Sequence, residues 1–272
     1  MTVERLSSST KITLTLLLAS TFVLFLNETI LGVALPPIMQ QLNITAATGQ
    51  WLTTAYMLTM AVVIPTSGYL MQRLGNRNVF MIAMSLFTIG SLIAALATGF
   101  EMLLLGRIFQ AAGTGVMSPL LMVAIMTLVP DSRRGSLMGT VSIVMSLAPA
   151  VGPTVSGLIL SFAGWRWLFW LVMPIAAAAL ILGIKNLPAL GQRTKAPLDI
   201  VSVILAAITF SSLVYGLSSF AEQARGVRMA ASPEVIVAVG AALLAVFIWR
   251  QIHLQKQDRA LLDLRTFRAR SF

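Results

Sequence analysis

The sequence predicts an all-α polytopic membrane protein, on three observations. Of its 272 residues 57% are hydrophobic and only 10% are charged, and the mean hydropathy is +0.89. Apolar runs of about 20 residues, the length at which a helix crosses a bilayer, recur along the whole chain. These runs are continuously apolar, whereas the strands of a membrane barrel alternate apolar and polar residues over roughly ten positions. The same composition excludes a soluble domain.

Eight spans are expected, at 12–34, 50–70, 79–98, 102–128, 137–161, 165–187, 198–219 and 233–252. The first follows a polar, weakly basic start at Met1–Lys11, as a secretory signal would. It is too long for the apolar core of a signal peptide and no small-residue cleavage site follows it, so it reads as an uncleaved helix. The second runs into a short basic loop rich in glycine, and the third carries no charged residue between Asn78 and Gly99. The fourth carries Arg107, Gln110, Ala111, Thr114 and Ser118 at helical spacing, one polar, small-residue face that should line a cavity. In the fifth, Pro149 and Pro153 free backbone carbonyls, while Ala148, Gly152 and Ser156 repeat every fourth residue for close helix packing. The sixth opens with Trp165 and Trp167, and the seventh and eighth, apart from Asp199, carry apolar and small residues without a chemical signature.

Orientation follows from the basic residues. With the N-terminus cytoplasmic, only Arg166, Arg225 and Arg228 fall in outer segments and Arg107 in the membrane; all other Lys and Arg lie inside, as the positive-inside rule requires. The net charge of +10 is thus a record of topology and gives no ground for nucleic-acid binding. Trp51, Trp165 and Trp167 fall at predicted outer ends and Trp249 at an inner one, where interfacial aromatic anchors belong. The absence of cysteine excludes disulfides and thiolate metal sites, and His253, the one histidine, reads as a solvated residue at a helix end. No Gly-x-x-x-x-Gly-Lys loop or metal-ligand cluster is present, which disfavours nucleotide-driven export and a metal site.

Two charges, Glu28 and Arg107, lie deep inside apolar spans. Each costs roughly 2.5 to 3.5 kcal/mol near a helix centre, so such groups face a bundle interior or a water-filled path. At a rise of about 1.5 Å per residue both sit on the order of 10 Å below the outer boundary. They read as the heart of a transport pathway, in which Glu28 exchanges a proton or binds a cationic substrate and Arg107 tunes that exchange. The alternative is a structural pair that merely orients helices.

Four motifs resemble a known family. Gly68, Leu70, Arg73, Gly75 and Arg77, between the second and third spans, resemble the signature loop of the major facilitator superfamily, with Gln72 where an aspartate is usual and Asn76 at a usual basic position. In that family glycines permit the tight connection and basic residues latch onto a neighbouring helix end. Arg107, Gln110 and Ala111 resemble its Arg-x-x-Gln-Gly pattern, with Ala111 for the glycine. Gly152, Pro153, Ser156 and Gly157, preceded by Pro149, are similar to the Gly-Pro-x-x-Gly-Gly element of drug:proton antiporters. Leu26, Asn27, Glu28 and Thr29 through Pro36, with Trp165 to Trp170 and Pro174, resemble the fourteen-helix antiporter branch, and Asn27-Glu28-Thr29 its lincomycin-resistance-like members. Many members have aspartate at the position of Asn27, so the acid here is shifted by one residue.

The resemblance implies an N-terminal six-helix bundle at 1–187, two linker transmembrane helices at 188–252, and a cytoplasmic lead-in at 253–272 to a C-terminal bundle beyond this sequence. It further implies a multi-pass protein of the plasma membrane that is no enzyme and needs no cofactor. Such a protein uses the proton gradient to export drugs or other amphipathic small molecules. Its partners would be the lipid bilayer, the small-molecule substrate and the C-terminal bundle or a partner half. Residues 1–272 alone are expected not to transport, since alternating access needs two bundles. A non-transporting remnant, a partner-dependent half-transporter and an uptake facilitator are the alternatives.

Overall fold

The computed structural model describes residues 7–188, 199–224 and 232–256. The expected sites at 189–198, 225–231 and 257–272, among them Arg193, Lys195, Arg225, Arg228 and most of the lead-in, lie outside the described residues, as do Met1–Leu6. Among the described residues the chain forms eight helices, all long and apolar enough to cross a membrane: α1 (Ser8–Leu42), α2 (Ala46–Leu74), α3 (Asn76–Ala95), α4 (Phe100–Leu128), α5 (Asp131–Phe162), α6 (Arg166–Asn186), α7 (Ile200–Ala224) and α8 (Pro233–Gln255). Each contains or closely matches one predicted span.

α1 and α2 outrun their predicted apolar spans, and polar residues cap their first turns. The Ser7 hydroxyl accepts the Thr10 amide of α1 at 3.1 Å, and Thr45 accepts that of Thr48 at the start of α2 at 3.2 Å. Asn43 ends α1 in the left-handed conformation. Between α2 and α3 a single residue, Gly75, turns the chain at φ 80 and ψ 149, a backbone region that only glycine enters without strain. α5 runs unbroken through Pro149 and Pro153. α8 continues to Gln255, into the first residues of the expected lead-in.

α3 and α4 form the tightest pair, and α4 also packs on α2 and α1. α1 packs against α5 and α6, and α3 against α6. α7 and α8 make an antiparallel hairpin that rests on α2 through α7, where Trp51 and Tyr215 stack at 5.9 Å between ring centroids. The hairpin is closed at its opposite end by Arg250, which donates from Nη2 and Nε to the two Asp199 carboxylate oxygens at 2.8 and 3.1 Å.

The Trp anchors divide. Trp51, Trp167 and Trp249 are exposed, whereas Trp165 is buried, edge-on to Phe169 with the Arg166 guanidinium over its ring. His253 is exposed and stacks on Trp249.

Candidate functional site

The glycines of α3 and α4 decide which polar groups meet. A Cβ on Gly90 would stand 2.6 Å from the Gly106 carbonyl oxygen, and one on Gly113 would stand 2.4 Å from that of Ala83, so the two backbones touch. That approach brings Ser91 of α3 against Gln110 of α4.

Gln110, fully buried, is the centre of a polar network that spans four helices. Its Nε2 donates to Ser91 Oγ at 2.9 Å and, more weakly, to Asn27 Oδ1 of α1 at 3.4 Å. Its Oε1 accepts from Arg107 Nη1 at 3.0 Å. Its backbone carbonyl accepts from Thr114 Oγ1 at 2.9 Å, and Thr114 in turn accepts from the Tyr56 hydroxyl of α2 at 2.8 Å. Arg107 is 1% exposed, with its Cζ 4.0 Å from the Tyr56 ring centroid. Arg107 Nε and Asn27 Nδ2 are buried donors without a hydrogen-bond partner among the described residues.

Glu28 follows Asn27 and points about 100° further round α1. It is half-buried. Glu28 and Arg107 feel each other's field but make no ion pair; among the described residues the ion pairs are Arg134–Asp131 and Arg250–Asp199. The predicted α4 face continues towards the C-terminal end of the helix: Thr114 and Ser118, with Met60, Ile64, Pro119 and Met122, line a groove of about 310 Å³ between α2 and α4.

The other predicted residues form two separate places. In the loop, Arg77 Nη2 donates to the Ile184 carbonyl near the end of α6 at 2.6 Å, a contact across 107 positions of sequence. Arg73 is exposed and donates to the Tyr69 hydroxyl at 2.6 Å, while Gly68 has open space around it. On α5, Ala148, Gly152 and Ser156 are buried against α1. Ser156 Oγ donates to the Ile30 carbonyl at 3.1 Å, and a Cβ on Gly152 would stand 2.1 Å from Thr29 Oγ1. Pro149, Pro153 and Gly157 lie on the exposed side of the same helix.

Asn27, Arg107, Gln110 and Thr114 are thus brought together, and Glu28 stands beside them. Tyr56 and Ser91 were missed by sequence reasoning. The signals available were one of two tyrosines in an apolar span and a serine next to a glycine, neither of which points across to α4.

The chain matches the Major Facilitator Superfamily over residues 17–259. It is 40% identical over 259 residues to the lincomycin resistance protein LmrB of Bacillus subtilis, covering 94% of this chain and 53% of that protein. To LmrB of Listeria monocytogenes it is 40% identical over 247 residues, covering 91% of this chain and 51% of the relative. To the putative multidrug resistance protein MdtD of Escherichia coli it is 32% identical over 254 residues, covering 92% and 52%. The chain therefore spans about half the length of the curated relatives it matches. Among solved structures it is similar in fold to the human organic anion transporter MFSD10, with a TM-score of 0.61 at 16% identity over 75% of this chain and 55% of that one. It is also similar to a D-xylose-proton symporter, with a TM-score of 0.57 at 17% identity over 67% and 49%.

Proposed function

This chain belongs to the Major Facilitator Superfamily, a family of membrane transporters and not of enzymes, and from that premise we propose that it is the first half of a proton-driven exporter of drugs or other amphipathic small molecules. One observation carries the reading: a half-buried carboxyl, Glu28, stands next to a fully buried network that ends in a fixed cation. A carboxyl so placed is costly, which makes a functional role its default reading. Glu28 takes up a proton when water reaches it from one side and releases it when water reaches it from the other, and Asn27, Arg107, Gln110 and Thr114 set the surroundings in which it does so. The proton gradient is the energy source and no cofactor takes part.

The names of the relatives support the substrate class, since the proteins it resembles are called resistance proteins for lincomycin or for multiple drugs. Residues 1–187 act as the moving N-terminal bundle, 188–252 as linker helices and 253–272 as the lead-in to the second bundle, in the plasma membrane with the N-terminus cytoplasmic. Gly68, Arg73, Gly75 and Arg77 form a gating loop, in which Arg77 latches α3 to α6. Pro149, Gly152, Pro153 and Gly157 belong to the helix that seals one side of the pathway.

The test is efflux in everted vesicles, with this chain joined to the second six-helix bundle of the Bacillus subtilis relative. Glu28→Gln should reduce proton-driven efflux to background at an unchanged membrane level. Efflux that still follows the proton gradient in E28Q refutes the proton-site reading. Proton-driven efflux by residues 1–272 without the second bundle refutes the half-transporter reading.

A further inference from the structure

Arg107 is a permanent charge in the core, and no carboxylate lies within ion-pair distance of it among the described residues. What it has instead is the face of Tyr56, 4.0 Å from Cζ to ring centroid, and one hydrogen bond to Gln110 at 3.0 Å. A cation over a desolvated aromatic face is biased towards that place by roughly thirtyfold. The ring is itself held. Tyr56 is 1% exposed, and its hydroxyl donates to Thr114, which is fixed to the Gln110 backbone. Unlike a carboxylate, an aromatic face offers negative potential that no proton can cancel.

We propose that Tyr56 is a positioning residue whose buried ring holds the Arg107 charge on the α2–α4 side of the core and so keeps it from pairing with Glu28. The assignment rests on the reading of Glu28 as the exchangeable carboxyl. A direct ion pair would favour the ionised carboxylate and take it out of proton exchange. With the cation held elsewhere, Glu28 feels its field without being locked to it.

The experiment uses the full 272-residue chain, purified in detergent at pH 7 and treated with dicyclohexylcarbodiimide. This reagent modifies protonated carboxyls in apolar surroundings, and modification is read by mass spectrometry on the peptide that contains Glu28. The unsubstituted chain, Tyr56→Phe and Tyr56→Trp keep an aromatic face and should label alike. Tyr56→Leu frees Arg107 to turn to Glu28 and should label about tenfold less. Adding Arg107→Met to the Y56L chain removes the cation and should restore labelling, which a misfolded chain would not do. Y56L labelling like the unsubstituted chain, a loss that R107M fails to restore, or an unsubstituted chain whose Glu28 does not label would each overturn the proposal. Efflux that stays coupled in E28Q removes the proton-site reading but leaves this labelling pattern standing, so the two failures are distinguishable.

Discussion

Gly90→Ala is the substitution whose consequence the geometry defines most sharply. The added Cβ would lie 2.6 Å from the Gly106 carbonyl oxygen and 2.7 Å from the Gln110 amide nitrogen, both backbone atoms, and 2.9 Å from the Phe109 Cβ. None of these can swing aside as a side-chain tip would, so relief requires α3 and α4 to part. Restoring ordinary contact takes about 0.8 Å of separation, and packing excess atoms into a tight seam costs about 1 to 3 kcal/mol. The same movement lengthens the bond from Gln110 Nε2 to Ser91 Oγ, now 2.9 Å, to about 3.7 Å, beyond hydrogen-bond reach. Polar bonds between membrane helices average about 0.6 kcal/mol, so the expected total is about 2 to 4 kcal/mol. Gly157→Ala is the matched control, because a Cβ there meets nothing within 4 Å. Both variants are measured by reversible unfolding of the purified chain in mixed micelles against increasing denaturing detergent. A G90A chain within about 0.5 kcal/mol of G157A would refute the claim that the α3–α4 backbones touch.

Two further outcomes are expected. Arg77→Ala removes the donor to the Ile184 carbonyl; the cost is about 1 kcal/mol and should appear as faster hydrogen exchange at the joined ends of α3 and α6, with no change there counting against a latch. At Asp199, partial burial favours the neutral carboxyl, but the bonds from Arg250 and Ser202 outweigh it and hold the group below the usual carboxylate range. A depressed folded-state value gives stability that is present above the unfolded value of about 3.9 and is lost as pH falls through the folded one. Amide protection of α7 and α8 should therefore be flat from neutral pH to about pH 5 and weaken below about pH 4, and Asp199→Asn should lower it at neutral pH and abolish the acid limb. Protection in D199N that still falls with acid would assign the limb to another group.

The helices were legible because a bilayer leaves little choice: a chain this apolar must satisfy its backbone internally, and length with continuous apolarity marks each span. Their ends were less so, since Ser7, Thr45 and Asn43 cap turns beyond the apolar runs. The spacing of Arg107, Gln110 and Thr114 along one face also carried through to the structure, because three residues of one helix share a face by geometry alone. What lies across from that face did not. The two loudest charges do not touch, and the residue that reaches Gln110 from α1 is the neutral Asn27. Tyr56 and Ser91 owe their places to the pairing of α4 with α2 and α3. The α3–α4 part of that pairing depends on Gly90, Gly106 and Gly113 matching one another across two helices, a relation between segments that one sequence does not encode visibly.

One turn of α1 joins these parts. Asn27 reaches the α4 network, Glu28 stands beside it without an ion pair among the described residues, and Thr29 and Ile30 form the seam with α5, where Gly152 leaves no room and Ser156 bonds the Ile30 carbonyl. Four consecutive residues of a rigid helix cannot move independently, because each shares the backbone ladder of the others. A movement that carries α1 along with α5 and away from α4 would therefore displace Glu28 relative to Arg107, whose charge is held by residues of α2 and α4. Had the cation been bonded to Glu28, it would have travelled with the carboxyl and the movement would have changed nothing between them. On the proposed reading, the separation of the two charges is what would allow a helix movement to alter the field at the carboxyl, the physical link that proton-driven movement would require.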